Sequence, residues 1–386
     1  MFRAASAVLL AGLLLSGCTT LSESINKINP WAGKSGPKPT ELQAIQPSVA
    51  ARVRWSANIG KADAYVFTPA VVGSSVYVAA ADGSLARIDD GAVAWRIKAA
   101  PALSAGVGSD GRLVVVGTAK GDILAFSADD GKALWQTKVT SEVLAAPAVS
   151  EDGVAVKSGD NRIFLLDVKD GARKWFYQRA TPSLFLRSFA GPVFADRFVF
   201  AGFPGGKLMA LDVRNGAPVW EGTVALPKGA TELDRVADVV SLPLFDGGQL
   251  CAVAFQGRVA CFDLKQGGQV VWARDFSSST GIAIEGRYLF AADTKGAVHA
   301  LDRDNGSSVW KQDKLLHRQL SAPAARRNLV AVGDLAGVIH LLRREDGDFA
   351  ARVQTDGTPV LAPVQVLGSG FLVQTAGGTV AAIEAQ

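Results

Sequence analysis

The chain has 386 residues, with 40 Lys and Arg against 36 Asp and Glu, and nearly half of its residues are hydrophobic. The two charge signs are mixed along the sequence without a basic stripe, which argues against nucleic acid as a partner. Glycine is abundant, at 41 residues, and the apolar side chains are mostly Val, Ala, Leu and Phe, a composition suited to short strands and tight turns.

The first element in chain order is a targeting segment. Arg3 supplies a positive charge, and Ala4 to Leu15 is an apolar run too short to span a bilayer as a mature helix. It ends in Leu15-Ser16-Gly17-Cys18, which resembles the lipobox of bacterial lipoproteins. In that motif, a cysteine after small residues is acylated and becomes the new N-terminus. The resemblance implies a signal peptide over 1–17 and lipidation of Cys18; an ordinary signal peptide with a chance cysteine is the alternative. Thr19 stands where lipoproteins of the inner membrane usually carry Asp. The expected location is therefore the outer membrane, with the anchored domain facing the periplasm. Residues 19–50 are rich in Ser, Lys, Asn, Gly and Pro and show neither apolar period. From the lipidated Cys18 to residue 50 the chain is expected to be a flexible tether.

The remaining stretch, 51–386, is long for a single hydrophobic core, which directs attention to internal repeats. Eight segments share a pattern. A turn glycine precedes an alternating apolar run, an acidic residue, a second glycine and a closing tryptophan. One copy reads Gly121, Leu124, Phe126, Ser127, Gly131, Trp135, and others run Asn161 to Trp175, Gly206 to Trp220, Gly257 to Trp272 and Gly296 to Trp310. The copy from Gly83 to Trp95 is shorter, the one from Gly337 through Gly347 lacks its tryptophan, and the one from Gly378 stops after Glu384. Arg52-Val53-Arg54-Trp55 looks like the tail of a repeat without its head. The two fragments complement each other if N-terminal and C-terminal strands meet in one unit, which removes the open ends of the array. Strand signals of period two, separated by glycine turns, fit four short strands per unit. The fold class expected is all-β: an eight-bladed β-propeller of four-stranded antiparallel blades, closed by its two terminal strands. The repeated tryptophans are read as filling between blades, and Asp89, Asp167, Asp212, Asp263 and Asp302 as fixing turns through backbone N–H groups.

This repeat is similar to that of quinoprotein-type propellers, which include pyrroloquinoline-quinone dehydrogenases. The lipobox, tether and single eight-repeat ring together resemble the BamB family of outer-membrane assembly lipoproteins. So do three segments outside the repeat: 182–187, 231–239 and 313–318. Quinoprotein dehydrogenases are expected to show adjacent cysteines and a set of calcium and quinone ligands. Here the cysteines are Cys18, Cys251 and Cys261, and no two are adjacent. The BamB resemblance implies a non-enzymatic scaffold without cofactor, working in the assembly and insertion of outer-membrane proteins. Its implied partners are the periplasmic POTRA domains of BamA, the other subunits of the assembly machinery, and unfolded outer-membrane proteins. A membrane-anchored propeller enzyme or small-molecule binder is the alternative.

The tryptophan spacing shows where the units are irregular. Trp55, Trp95, Trp135 and Trp175 are evenly spaced, whereas the steps to Trp220 and Trp272 are longer, placing extra residues within about 181–192 and 223–243. Insertions of this kind gather on one face, often the binding face. The first holds Leu184, Phe185 and Leu186 beside Arg187; the second holds Glu232, Asp234, Arg235 and Asp238. By resemblance, Leu184, Leu186, Arg187 and Asp238 dock the partner, and Glu232, Asp234 and Arg235 join that surface. Val240 stands at the position of a second acidic residue, so that half of the motif is only partly present. The alternative is that Leu184 and Leu186 face inward from a strand, which their i, i+2 spacing equally allows. His299 and His340 occupy equivalent repeat positions without metal-ligand spacing and are expected to pack. Cys251 and Cys261 flank the turn at Gln256-Gly257; a register that pairs them allows a disulfide, and a one-residue slip separates them.

Overall fold

The computed structural model describes residues 37–386. The signal segment, Cys18 and the first part of the expected tether lie outside the described residues. From Pro39 onwards the chain forms one compact unit.

Eight four-stranded antiparallel sheets make the blades of a propeller. Blades 1 to 7 are continuous in sequence: 70–98, 108–138, 148–177, 193–223, 244–276, 282–312 and 324–354. Blade 8 takes three strands from 365–385 and its fourth, Ala51–Asn58, from the other end of the chain. There Ala51 pairs with Ala385 and Asn58 with Thr379, so the ring closes as the two sequence fragments imply.

Within a blade the two middle strands are buried on both faces and read as continuous apolar runs. Leu113–Gly117 and Gly153–Lys157 are buried throughout. The outermost strands alternate, as in Ala51–Asn58, because only one side meets a neighbour. The core is accordingly divided into eight apolar clusters, one in each seam between adjacent blades.

The repeat motif is the grammar of these seams. Each tryptophan of the repeat sits on the outermost strand of its blade and reaches the turn before the outermost strand of the next. Trp135 Nε1 donates to Val168 O at 2.9 Å, Trp175 to Val213 O at 2.8 Å and Trp310 to Arg344 O at 2.8 Å. The second glycine of the following copy lies flat against the indole. A Cβ on Gly216, whose φ is +73°, would stand 2.6 Å from the Trp175 ring. Four of the five repeated aspartates hold the same turns: Asp167 accepts from Lys169 N at 2.8 Å, Asp212 from Arg214 N at 2.9 Å, Asp263 from Lys265 N at 2.8 Å and Asp302 from Asp304 N at 3.0 Å, whereas Asp89, at the shorter turn of blade 1, accepts from the Arg87 side chain instead.

The same geometry accounts for the tryptophan missing from blade 7. Ala351 occupies its ladder position, opposite Leu341. Blade 8 has no turn between its third and fourth strands, because these come from opposite ends of the chain. An indole on blade 7 would have neither carbonyl nor glycine to meet. Val49, Ala51 and Val53 fill that space instead, and Ser48 N donates to Ala350 O at 2.9 Å.

The sequence-based tether was expected to run to residue 50, but the chain joins the ring earlier. Thr40 N donates to Leu316 O at 3.0 Å, Arg318 Nη1 donates to Thr40 O at 2.9 Å, and Leu42 packs on the seam of blades 6 and 7. Arg352 also donates to Gln43 O. Residues 40–50 thus form a strap along blade 7, held by backbone carbonyls that sequence periodicity does not report.

Cys251 and Cys261 are directly opposed on neighbouring strands of blade 5, fully buried, and joined in a disulfide.

Candidate functional site

Connections between blades lie on the same face as the turns between second and third strands. Two of them, 178–192 and 224–243, are much longer than the rest, and both flank blade 4. No strand forms over 181–192, so Leu184 and Leu186 are not inward-facing strand residues. Leu184 is 41% exposed, Phe185 and Leu186 are half-buried, and Arg187 is exposed.

Arg187 is anchored rather than free. Its Nε and Nη2 donate to the two carboxylate oxygens of Glu142 at 3.1 and 2.7 Å, and its guanidinium lies 5.8 Å from the Tyr65 ring centre. This two-pronged bond orients the side chain, and its partial exposure keeps its contribution to stability small.

Asp238 is placed differently from the surface acid that the sequence reading expects. It is 2% exposed, and its carboxylate accepts from Leu186 N at 2.7 Å and from Gly205 N at 2.9 Å. Gly205 belongs to the turn Pro204-Gly205-Gly206 of blade 4 and has φ +73°. One carboxylate therefore ties the first insertion to a hairpin turn, while its own backbone belongs to the second insertion. Phe255 N, donating to Asp238 O at 2.9 Å, fixes that backbone in turn. Val240 is 9% exposed and lines the central cavity.

Glu232, Asp234 and Arg235 are exposed at the tip of the second insertion. Asp234 accepts from Thr231 Oγ1 at 2.7 Å and Thr231 N at 3.1 Å, and these bonds hold its carboxyl below the usual range. Arg235 donates to Gly229 O at 3.2 Å and approaches Glu232 at 3.8 Å. These three residues shape the tip, and the largest apolar surface there belongs to residues the sequence reading did not single out. Leu233 is 71% exposed and Leu226 59%. Their signal was available: large apolar side chains in an insertion without strand periodicity.

A second omission is Lys157, at the end of the apolar strand Gly153–Lys157. It is 6% exposed, donates to Gly202 O at 2.7 Å and lies 5.6 Å from the Phe203 ring centre. Burial lowers its pKa to about 8, partly offset by the field of Asp238.

Other constellations are engaged within the blades. His299 meets Asp293 at 2.9 Å, and His340 meets Asp334 at 3.0 Å, where Arg318 also donates at 2.7 Å. Among the described residues no group of three or more His, Cys, Asp or Glu is arranged to hold a metal. The channel on the ring axis widens into a cavity of about 730 Å³, with Leu186 and Arg187 at one edge and Val240, Leu242 and Val364 along its wall.

A family model described as "Outer membrane protein assembly factor BamB" matches residues 81–312. The chain is 42% identical over 382 residues to the outer membrane protein assembly factor BamB of Bordetella pertussis, covering 98% of this chain and 96% of that one. The crystal structure of BamB from Moraxella catarrhalis superposes with a TM-score of 0.81 at 29% identity, over 87% of this chain and 100% of that chain. The quinohemoprotein alcohol dehydrogenase of Comamonas testosteroni, at 14% identity and a TM-score of 0.68 over 86% of this chain and 76% of its own, shares the propeller fold alone. Sequence identity over nearly the full length, the family model and the eight-bladed ring agree: the chain belongs to the BamB family of outer membrane protein assembly factors.

Proposed function

We propose that this protein is a non-enzymatic scaffold of the outer-membrane barrel-assembly machinery, anchored through a lipid on Cys18 and facing the periplasm. Its ring docks the POTRA domains of BamA and so supports the folding and insertion of outer-membrane proteins. The observation that carries the reading is the 181–192 loop. It presents the exposed Leu184 beside an Arg187 already oriented by Glu142, on the face that also bears the Leu226 and Leu233 insertion. An apolar anchor next to a fixed arginine, rimmed by polar groups, is the composition of a binding hot spot. Asp238 enters as the residue that holds the loop, and Glu232, Asp234 and Arg235 as the neighbouring rim.

The test is capture of the assembly complex from solubilised membranes by tagged wild type and by the Leu184→Ala/Leu186→Ala/Arg187→Ala variant. Each anchor is worth about 1–2 kcal/mol, so capture by the folded triple variant is expected to fall by roughly 100-fold or more. Undiminished capture by a folded variant would remove the loop from the interface. Failure of the wild type to capture the complex would overturn the scaffold reading itself.

One observation favours a second reading, a small-molecule binder: the central cavity is of ligand size and largely apolar. A quinone or calcium requirement for folding or activity would support it.

A further inference from the structure

Beneath the 181–192 loop lies a second cavity, of about 270 Å³, bounded by that loop and the 158–161 turn of blade 3. Two buried donors line it. Lys157 has three N–H groups, of which one reaches Gly202 O, and among the described residues no carboxylate lies within ion-pair distance of its ammonium. Asn161 is 5% exposed, and its side-chain Nδ2 has no acceptor among the described residues.

Asn161 is there for a backbone reason and brings a side chain as well. Its φ is +59°, and the equivalent turn positions hold Gly121, Gly206 and Gly296. Asparagine tolerates this left-handed conformation better than most residues. Blade 3 is thereby given a side-chain amide where those three sister blades have none.

A buried ammonium that no carboxylate touches and a buried amide N–H without an acceptor each carry a desolvation cost. The nearby acids do not relieve it. Glu142 is occupied by Arg187, and Asp238 by the N–H groups of Leu186 and Gly205. Asp160 accepts from Thr140 at 2.8 Å and meets Arg162 at 3.4 Å. The donors remain unmet while every neighbouring carboxylate is engaged. Violations of this kind concentrate where a ligand completes the site.

We propose that this cavity is a carboxylate-binding site, in which one carboxylate accepts hydrogen bonds from Lys157 and Asn161 and its alkyl stem packs on Phe185 and Leu186. The carboxylate is either an acidic side chain of the docked protein or a small free acid. The first source rests on the docking function proposed above; the site itself does not.

The probe is N-acetyl-glutamate α-amide, with the uncharged N-acetyl-glutamine α-amide as control, observed by saturation-transfer NMR on the full-length protein in detergent. Saturable transfer is expected for the glutamate probe. It should weaken by about tenfold or more in Asn161→Gly and in Lys157→Met, because each loses a hydrogen bond to a charged group. Asn161→Gly restores the residue of the sister turns, so its folding is secure. Equal transfer to the glutamine control, or transfer unchanged in both variants, would overturn the site. A parallel capture of the assembly complex separates the sources. Weaker capture by Asn161→Gly identifies the acid as the partner's, whereas normal capture with lost probe binding identifies a free acid. If wild type captures nothing, the docking function fails while the probe result stands.

Discussion

Asp238 lies near enough for its field to act on Lys157, and each does something its residue type does not announce. Asp238 spends both oxygens on backbone N–H groups from two other segments. Replacing it with Ala leaves those donors buried and unpaired, at about 1–3 kcal/mol each. In Asp238→Ala, amide exchange is expected to accelerate over 184–187 and 203–206 while blade 8 keeps its protection; unchanged exchange in the loop would refute the tie. Lys157 makes the opposite prediction, a cost rather than a gain. Its folded pKa of about 8 lies below the ordinary lysine value. Below pH 8 both states carry the charge and burial disfavours folding in full. Between pH 8 and the ordinary value the unfolded chain binds more protons, so stability rises with pH. Against Lys157→Met, wild type should gain about 1–3 kcal/mol across that window, read from denaturant midpoints at pH 7.5 and 10. A constant difference would mean that the ammonium is better solvated than its surroundings indicate. Neither role was legible in the sequence. The partners of Asp238 are main-chain groups at 186 and 205, and no residue-type pattern marks a backbone donor.

At the scale of single elements the legibility is far better, because a strand or turn needs a composition to exist. The glycine that lies under each indole and the aspartates that fix four of the turns recur in sequence because the seams impose a similar geometry. The break in that pattern at Ala351 was visible too, but its cause required knowing that blade 8 lacks the turn an indole would cover. The hairpin joining Cys251 and Cys261 shows where sequence stops short: the pairing depended on a register that one residue would change. Closing so short a loop stabilises by about 2–3 kcal/mol in the chain-entropy account. Reductant should therefore lower the wild-type denaturation midpoint to that of Cys251→Ala/Cys261→Ala and leave the variant unmoved. A wild type indifferent to reductant would mean that the ladder already fixes the loop without the covalent bond.

The whole ring is held by eight similar seams, so no seam is the centre of the molecule and stability is spread around the circle. Seven blades are built from contiguous sequence. The eighth must bring Ala51–Asn58 to Thr379–Ala385, across nearly the whole length of the chain. That arrangement sets a timetable. Because the chain is made N-terminus first, blades 1 to 7 can form in turn, but the strand at Ala51–Asn58 has no partner until the final residues arrive. During this interval its apolar edge and the open sides of blades 1 and 7 are exposed to solvent. The protein is then itself an unfinished β-structure, for a time in the condition of the proteins it is proposed to serve.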